Sequence, residues 1–262
     1  MRSVLSVGSC RVGDPLLELR DRGLLTLPAG LARRYGYTHS TPQHAQLLGV
    51  LRGTIVLPPL VATYAADHPD RWADDPAARE RHDLLATADV LVVEVCSRKV
   101  FTLGDWQIKD GVAITALIRR SERLGAWWRS VVREGRPDPE LVEELVPTVS
   151  EAEAQVLRTA GFRRQDEEEV VRDMRAIAGA FAGEVVWVPH VTAIGDGDQP
   201  IAEREHLREV VRRGVAEAGG RWHDPNVLIA ALGPDRALQD GNHYRGEVLP
   251  AVGDALWETI SA

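Results

Sequence analysis

Two short motifs near opposite ends of the chain carry residue types that do acyl chemistry together. Gly8-Ser9-Cys10 follows the apolar stretch Val4–Val7, and Asp240-Gly241-Asn242-His243 lies about twenty residues from the other terminus. In a hydrolytic serine site a hydroxyl attacks, an imidazole removes its proton, and a carboxylate holds the imidazolium. Ser9, His243 and Asp240 supply those three parts. The spacing of three lets Asp240 reach one ring nitrogen of His243 while the other faces the hydroxyl. Each motif also has a plainer reading. Ser9 can be a turn residue or a helix cap, and Gly241-Asn242 makes a turn whatever the function. Cys10 is a second candidate nucleophile, because a thiolate at a helix start has a lowered pKa. Otherwise it packs as a small apolar residue.

Elements of an α/β fold must position these groups. Val4–Val7, Val90–Val95 and Val185–Val188 are short, valine-rich runs bounded by turn or polar residues, the pattern of strands covered on both faces. Leu24–Leu27, Thr54–Leu57 and Arg221–His223 are weaker strand candidates. Helical patterns lie at Pro42–Leu51, Pro76–Ala86, Ala113–Arg133, Glu151–Ala160, Glu167–Phe181, Ile201–Ala218 and Glu247–Ile260. Strands alternating with helices give a mostly parallel sheet. Residues 105–182 break the alternation and read as a helical insertion within a single domain over 1–262. Its Trp106, Trp127 and Trp128 either pack helices or line a pocket.

Ligands of an open parallel sheet bind beyond the carboxyl ends of its strands. The three main strands end at Gly8–Arg11, Glu94–Lys99 and Pro189–Thr192, so with the Asp240–His243 loop four polar clusters gather on one rim. Arg11, Arg98 and Lys99 there either hold a substrate carboxylate or phosphate or form rim salt bridges. His190 orients a substrate or satisfies a loop. In Tyr37–Thr41, Ser40 or Thr41 is a natural N-cap, while backbone N–H groups near Thr38, His39 and Ser40 could equally donate to an oxyanion.

Composition narrows the function classes. The chain has 262 residues, 44% hydrophobic and 27% charged, with a formal net charge of −8. An acidic balance disfavours general binding to nucleic-acid backbones. Two cysteines cannot make a disulfide framework, no stretch reaches the length of a membrane span, and the N-terminal apolar run is too short for a signal peptide. A cytoplasmic chain is the expectation. Neither zinc-type histidine and cysteine spacing nor a glycine-rich phosphate loop is present, so no metal or cofactor is expected. Gly195–Asp198 is too short for a calcium loop and reads as a flexible turn.

The two chemical motifs resemble those of the SGNH/GDSL hydrolase superfamily, in particular its Gly-Ser-Cys branch typified by the GSCFA domain. The resemblance runs over about the first 50 residues and about the last 80. It implies a flavodoxin-like three-layer sandwich, Ser9 as nucleophile, His243 as base, Asp240 as its orienter, and Tyr37–Thr41 as the second block. One departure stands out. The superfamily places an asparagine after a middle strand as oxyanion donor, whereas the two asparagines here, Asn226 and Asn242, lie elsewhere and Cys96, Ser97 and Arg98 fill that place. The expected donors are therefore the Ser9 N–H, groups near Thr38–Ser40, and Ser97. The function implied is a serine-dependent esterase or acyltransferase acting on a small or carbohydrate-like acyl ester. The alternatives are a non-catalytic binding member of the same fold, or a thiol enzyme at Cys10.

Overall fold

The computed structural model describes residues 1–28, 36–65, 85–109, 111–192 and 201–262. The chain divides into two compact units, one of residues 1–54, 76–98 and 166–262 and the other of residues 55–75 and 99–165.

The first unit is built on the valine-rich runs. In chain order it contains β1 (Arg2–Val7), α1 (Cys10–Asp21), β2 (Leu25–Thr26), α2 (Thr41–Leu51), β3 (Val90–Val95) and α3 (Glu167–Gly179). Then follow β4 (Glu184–Pro189), α4 (Ala202–Ala218), β5 (Arg221–Trp222), α5 (Pro225–Leu232), α6 (Pro234–Ala237) and α7 (Leu249–Ser261). The strands form one parallel sheet in the order β2-β1-β3-β4-β5. This is the flavodoxin-like order, in which the chain reverses its direction of travel between β1 and β3.

Every residue of β3 is buried, which explains a continuous apolar run in place of alternation. Val4, Val90, Val92, Val186 and Val188 pack on one face against Val12, Leu16 and Leu19 of α1 and Leu256 and Ile260 of α7. Alternate residues such as Leu91, Val93, Val185 and Trp187 point to the opposite face. There α4 packs on β4, α3 lies against α4, and α2 lies against α3. The result is the three-layer sandwich that the family resemblance implies.

Local sequence starts these helices. Asp166 caps α3, its carboxylate accepting the Glu169 N–H at 2.7 Å while Glu169 accepts the Asp166 N–H at 3.0 Å. Pro42 occupies the first turn of α2, where its missing N–H costs nothing. The helix that Ser9 was expected to cap is α1, which runs through Pro15 to Asp21.

The second unit corrects the expected all-helical insertion. Lys99–Leu103 pairs antiparallel with both Trp106–Ile108 and Ala160–Arg164, making a three-stranded sheet. These strands are short and mixed in polarity, so nothing local announces them. Cross-strand packing holds them, as where the Phe101 and Phe162 rings stand 4.9 Å apart. The helices are Val112–Ile118, Glu122–Glu134, Pro139–Leu145 and Glu151–Thr159, with Pro59–Ala65 earlier in the chain. The expected single helix Ala113–Arg133 is broken at Ser121, whose hydroxyl accepts the Leu124 N–H at 3.2 Å and so starts a new helix. Trp127 is fully buried with its indole N–H on the Leu157 carbonyl at 3.0 Å, the packing role rather than a pocket wall. Glu167–Gly179 belongs to the first unit, and Thr54–Leu57 is not a strand. Most of the expected helix Pro76–Ala86, and the turn Gly195–Asp198, lie outside the described residues. Among the described residues no helix is long and apolar enough to cross a membrane.

Leu16, fully buried between α1 and the sheet, tests this layer. Leu16→Ala should lower the unfolding free energy by about 2 to 5 kcal/mol in urea denaturation, while a surface change such as Val227→Ala should leave it within about 0.5 kcal/mol.

Candidate active site

The carboxyl ends of β1 and β3 form the switch point of the sheet, the place where this topology opens a crevice. Register pairs Val7 with Val93, so Gly8 lies opposite Glu94. Gly8 has φ +146°, and a Cβ there would come within 2.6 Å of the Glu94 Cβ. Only glycine satisfies both the backbone and the packing. The turn so made hands Ser9 to α1 as its N-cap, with Oγ accepting the Arg11 N–H at 3.2 Å.

Ser9 is buried, and its donors are committed. Its hydroxyl donates to Glu94 Oε2 at 2.6 Å and its N–H donates to the same oxygen at 2.8 Å. Glu94 Oε1 accepts Arg11 Nε at 2.6 Å, and both side chains of that ion pair are almost wholly buried. Burial alone would raise the Glu94 pKa, but the Arg11 guanidinium and then the Ser9 hydroxyl outweigh it and hold the carboxyl down at about 2. Sequence reasoning missed Glu94. The signal was there: one acidic residue inside the run Val90-Leu91-Val92-Val93-Glu94-Val95, where a charge demands a partner.

The late motif reaches the same rim. Arg11 Nη1 extends to the Asn242 carbonyl at 3.4 Å, and Arg204 Nη2 donates to Asn242 Oδ1 at 2.7 Å. Arg204 Nη1 also reaches the Val191 carbonyl, at 3.4 Å, beyond the end of β4. Within the loop, Asp240 Oδ1 accepts the N–H groups of Asn242 and His243 at 3.0 and 2.9 Å. Its Oδ2 lies 2.7 Å from His243 Nδ1. A carboxylate can only accept, so Nδ1 carries the proton and Nε2 is left as the basic nitrogen. Next in the chain, Tyr244 is buried, and its phenol is pushed far up by burial and then by the Glu94 charge.

The Thr38–Ser40 segment joins this cluster through its backbone. Gly8 O accepts the Thr38 N–H at 3.1 Å, and His39 O accepts the N–H groups of Cys96 and Ser97 at 2.9 and 3.0 Å. Gln43 Oε1 takes the His39 N–H at 2.8 Å, and Ser40 caps α2. His44, also missed, is fully buried. Its Nε2–H donates to the Glu94 carbonyl at 2.8 Å and its Nδ1 accepts from the Thr38 hydroxyl at 2.9 Å.

Several expectations change accordingly. The amides of Ser9, Thr38, His39 and Ser97 are engaged within the protein, so they do not stand open as oxyanion donors. Arg11 forms the buried salt bridge, and Lys99 begins a strand of the second unit. Arg98 Nε is buried with no hydrogen bond among the described residues. Arg204, not singled out from the sequence, makes no ion pair with a carboxylate among the described residues while two of its nitrogens reach the rim. His190 is buried with Nδ1–H donating to the Val191 carbonyl at 2.6 Å. The Cys10 thiol is pushed up by burial first, with Asp14 and Glu94 adding to the rise, so the lowered pKa expected of a helix-start thiolate is absent.

Burial first holds three histidines neutral: His44 is pushed down to about 4, His190 to about 3 and His223 to about 4. In the unfolded chain each binds a proton near pH 6.5, so the stability tied to their neutrality is full above that pH and is lost as pH falls toward the folded values. Glu94 adds stability that is full above the ordinary carboxylate pKa of about 4.3 and is lost as pH falls toward 2. Urea-unfolding free energy should therefore decline continuously from pH 6.5 to pH 3. A flat profile across that window would contradict the buried, neutral histidines.

A curated relative, the Vi polysaccharide biosynthesis protein TviD of Salmonella typhi, is 22% identical over 268 residues. The match takes 99% of this chain but 31% of that protein, so the chain spans about a third of its relative's length. Among solved structures, the acetyl xylan esterase AlAXEase aligns over 98% of this chain and 99% of its own, with 11% identity and a TM-score of 0.45. A variant of Axe2, an acetyl-xylooligosaccharide esterase from Geobacillus stearothermophilus, aligns over 100% and 94%, with 12% identity and a TM-score of 0.40. Likeness that loose transfers no residue's role. The family profile of the TviD N-terminal domain matches residues 2–259, and the chain belongs to that family.

Proposed function

We propose that the chain is a serine-dependent esterase or acyltransferase acting on a carbohydrate-like acyl ester, with Ser9 as nucleophile, His243 as base and Asp240 as its orienter. The observation that carries this reading is the bridge at Arg11. That side chain starts two residues after Ser9 and reaches the carbonyl of Asn242, the residue before His243. The Asp240–His243 pair meanwhile holds the tautomer a base needs. The contact of Arg11, which follows the Gly-Ser-Cys block, with Asn242 of the Asp-x-x-His block supports this reading, and both blocks resemble those of SGNH hydrolases. A carbohydrate-like substrate is supported by the relative's description as a polysaccharide biosynthesis protein.

The chemistry requires one rearrangement. The Ser9 hydroxyl must leave Glu94 and turn its proton to His243 Nε2, giving up a charge-assisted hydrogen bond of about 1.5 to 3 kcal/mol. Attack on the acyl carbon then forms a tetrahedral oxyanion, and its collapse leaves the acyl group on Ser9 Oγ while the imidazolium protonates the departing alcohol. Water or a sugar hydroxyl, deprotonated by the same imidazole, removes the acyl group. With the nearby amides engaged, the oxyanion falls to the N–H groups of Arg11 and Arg204 that remain beyond their bonds to Glu94, Asn242 and Val191.

The commitment of both Ser9 donors to Glu94 favours a second reading, a binding module that retains the fold without turnover. A fluorophosphonate probe separates the two. Native protein should be labelled and Ser9→Ala should not. Hydrolysis of p-nitrophenyl acetate should fall at least about a hundredfold in His243→Ala. Folded native protein that resists the probe would support the binding module instead.

A further inference from the structure

Among the described residues of the first unit, a wholly buried charge lies outside the proposed triad. Glu94 has no exposed surface, and its two oxygens are divided between two tasks. Oε2 accepts both the hydroxyl and the N–H of Ser9, while Oε1 accepts Arg11 Nε. Arg11 passes the constraint on to the Asn242 carbonyl, and Arg204 grips the same residue by its side chain. The turn at Gly8 is shaped around the carboxylate, since any side chain there would strike it. We propose that Glu94 is the positioning residue of the site, fixing the nucleophile's turn through Ser9 and, through Arg11, the loop that carries His243. This inference rests on the serine reading given above.

The arrangement has an electrostatic signature that a merely structural role lacks. Among the described residues the charged groups near the His243 loop include Asp240, Arg245, Arg11 and Arg204, with Glu94 behind Arg11 and Asp224 near Tyr244, while His190, Tyr244, Cys10 and Cys96 are uncharged at neutral pH. Glu94 cancels the charge of Arg11. Removing the carboxylate alone leaves an uncompensated guanidinium 3.4 Å from the Asn242 carbonyl and disfavours imidazolium formation. Removing both charges restores the balance.

The experiment follows the His243 ring by nitrogen-edited NMR as pH is varied, in native protein, Glu94→Gln and Glu94→Gln/Arg11→Met. The His243 midpoint should fall by about half a pH unit in Glu94→Gln and return to the native value in the double variant. Fluorophosphonate labelling of Ser9 should slow at least about tenfold in both variants, because loss of the positioned turn and loop outweighs the hydroxyl hydrogen bond that attack no longer has to break, and faster labelling in Glu94→Gln would overturn the proposal. A native midpoint in Glu94→Gln, or a double variant that keeps the single variant's midpoint, would overturn the proposal. Should Glu94→Gln fail to fold, the charge-free double variant decides: labelling at the native rate would overturn it. If native protein resists the probe, the serine reading fails, while the titration pattern still judges whether Glu94 positions the loop.

Discussion

A carboxylate taken entirely out of water must find partners that replace its hydration, and Glu94 finds them in Arg11 and Ser9. Much of the local architecture follows from that requirement. The turn after β1 must bring two donors onto one oxygen, which demands a backbone conformation and a close approach that only Gly8 permits. The first turn of α1 must present an arginine, and the loop before α7 must offer that arginine a carbonyl. Ionisation of Glu94 is thereby tied to the shape of the rim. The same contacts hold the serine in a resting orientation, which makes the cost of freeing its hydroxyl part of any reaction at this site.

The sheet supplies the setting. Parallel order β2-β1-β3-β4-β5 sends the chain one way from β1 and the other way from β3, so their carboxyl ends stand apart from crossover helices. Ser9 and Glu94 occupy those two ends. His44 seals the floor beneath them, joining the Glu94 carbonyl to the Thr38 hydroxyl, and burial keeps it neutral. Asp240 and His243, each about half exposed, are the accessible part of the rim.

Legibility in the sequence was uneven for physical reasons. Fully buried parallel strands must be apolar throughout, so Val4–Val7, Val90–Val95 and Val185–Val188 announced themselves, and with them the α/β class. The paired spacing of Asp240 and His243 and the turn at Gly8-Ser9 were equally visible, because local geometry alone sets both. Glu94 was visible as a lone charge in an apolar run, but its partner was not, since Arg11 lies 83 residues away in sequence and no spacing rule links them. The antiparallel sheet around Phe101 was hidden too, because short strands such as Ala160–Arg164 owe their state to cross-strand contacts rather than to their own pattern. The engaged amides of Thr38, His39 and Ser97 illustrate the same limit: where a backbone donor points depends on folding, not on residue type.

The dependence of the site on one buried pair is most directly tested by a double-mutant cycle between Glu94 and Arg11, read as unfolding free energy. With Glu94→Gln, Arg11→Met and the combined variant, we predict a coupling of about 2 kcal/mol or more, each single change being costly because it leaves an unpaired buried partner. Free energies that add to within about 0.5 kcal/mol would contradict the account.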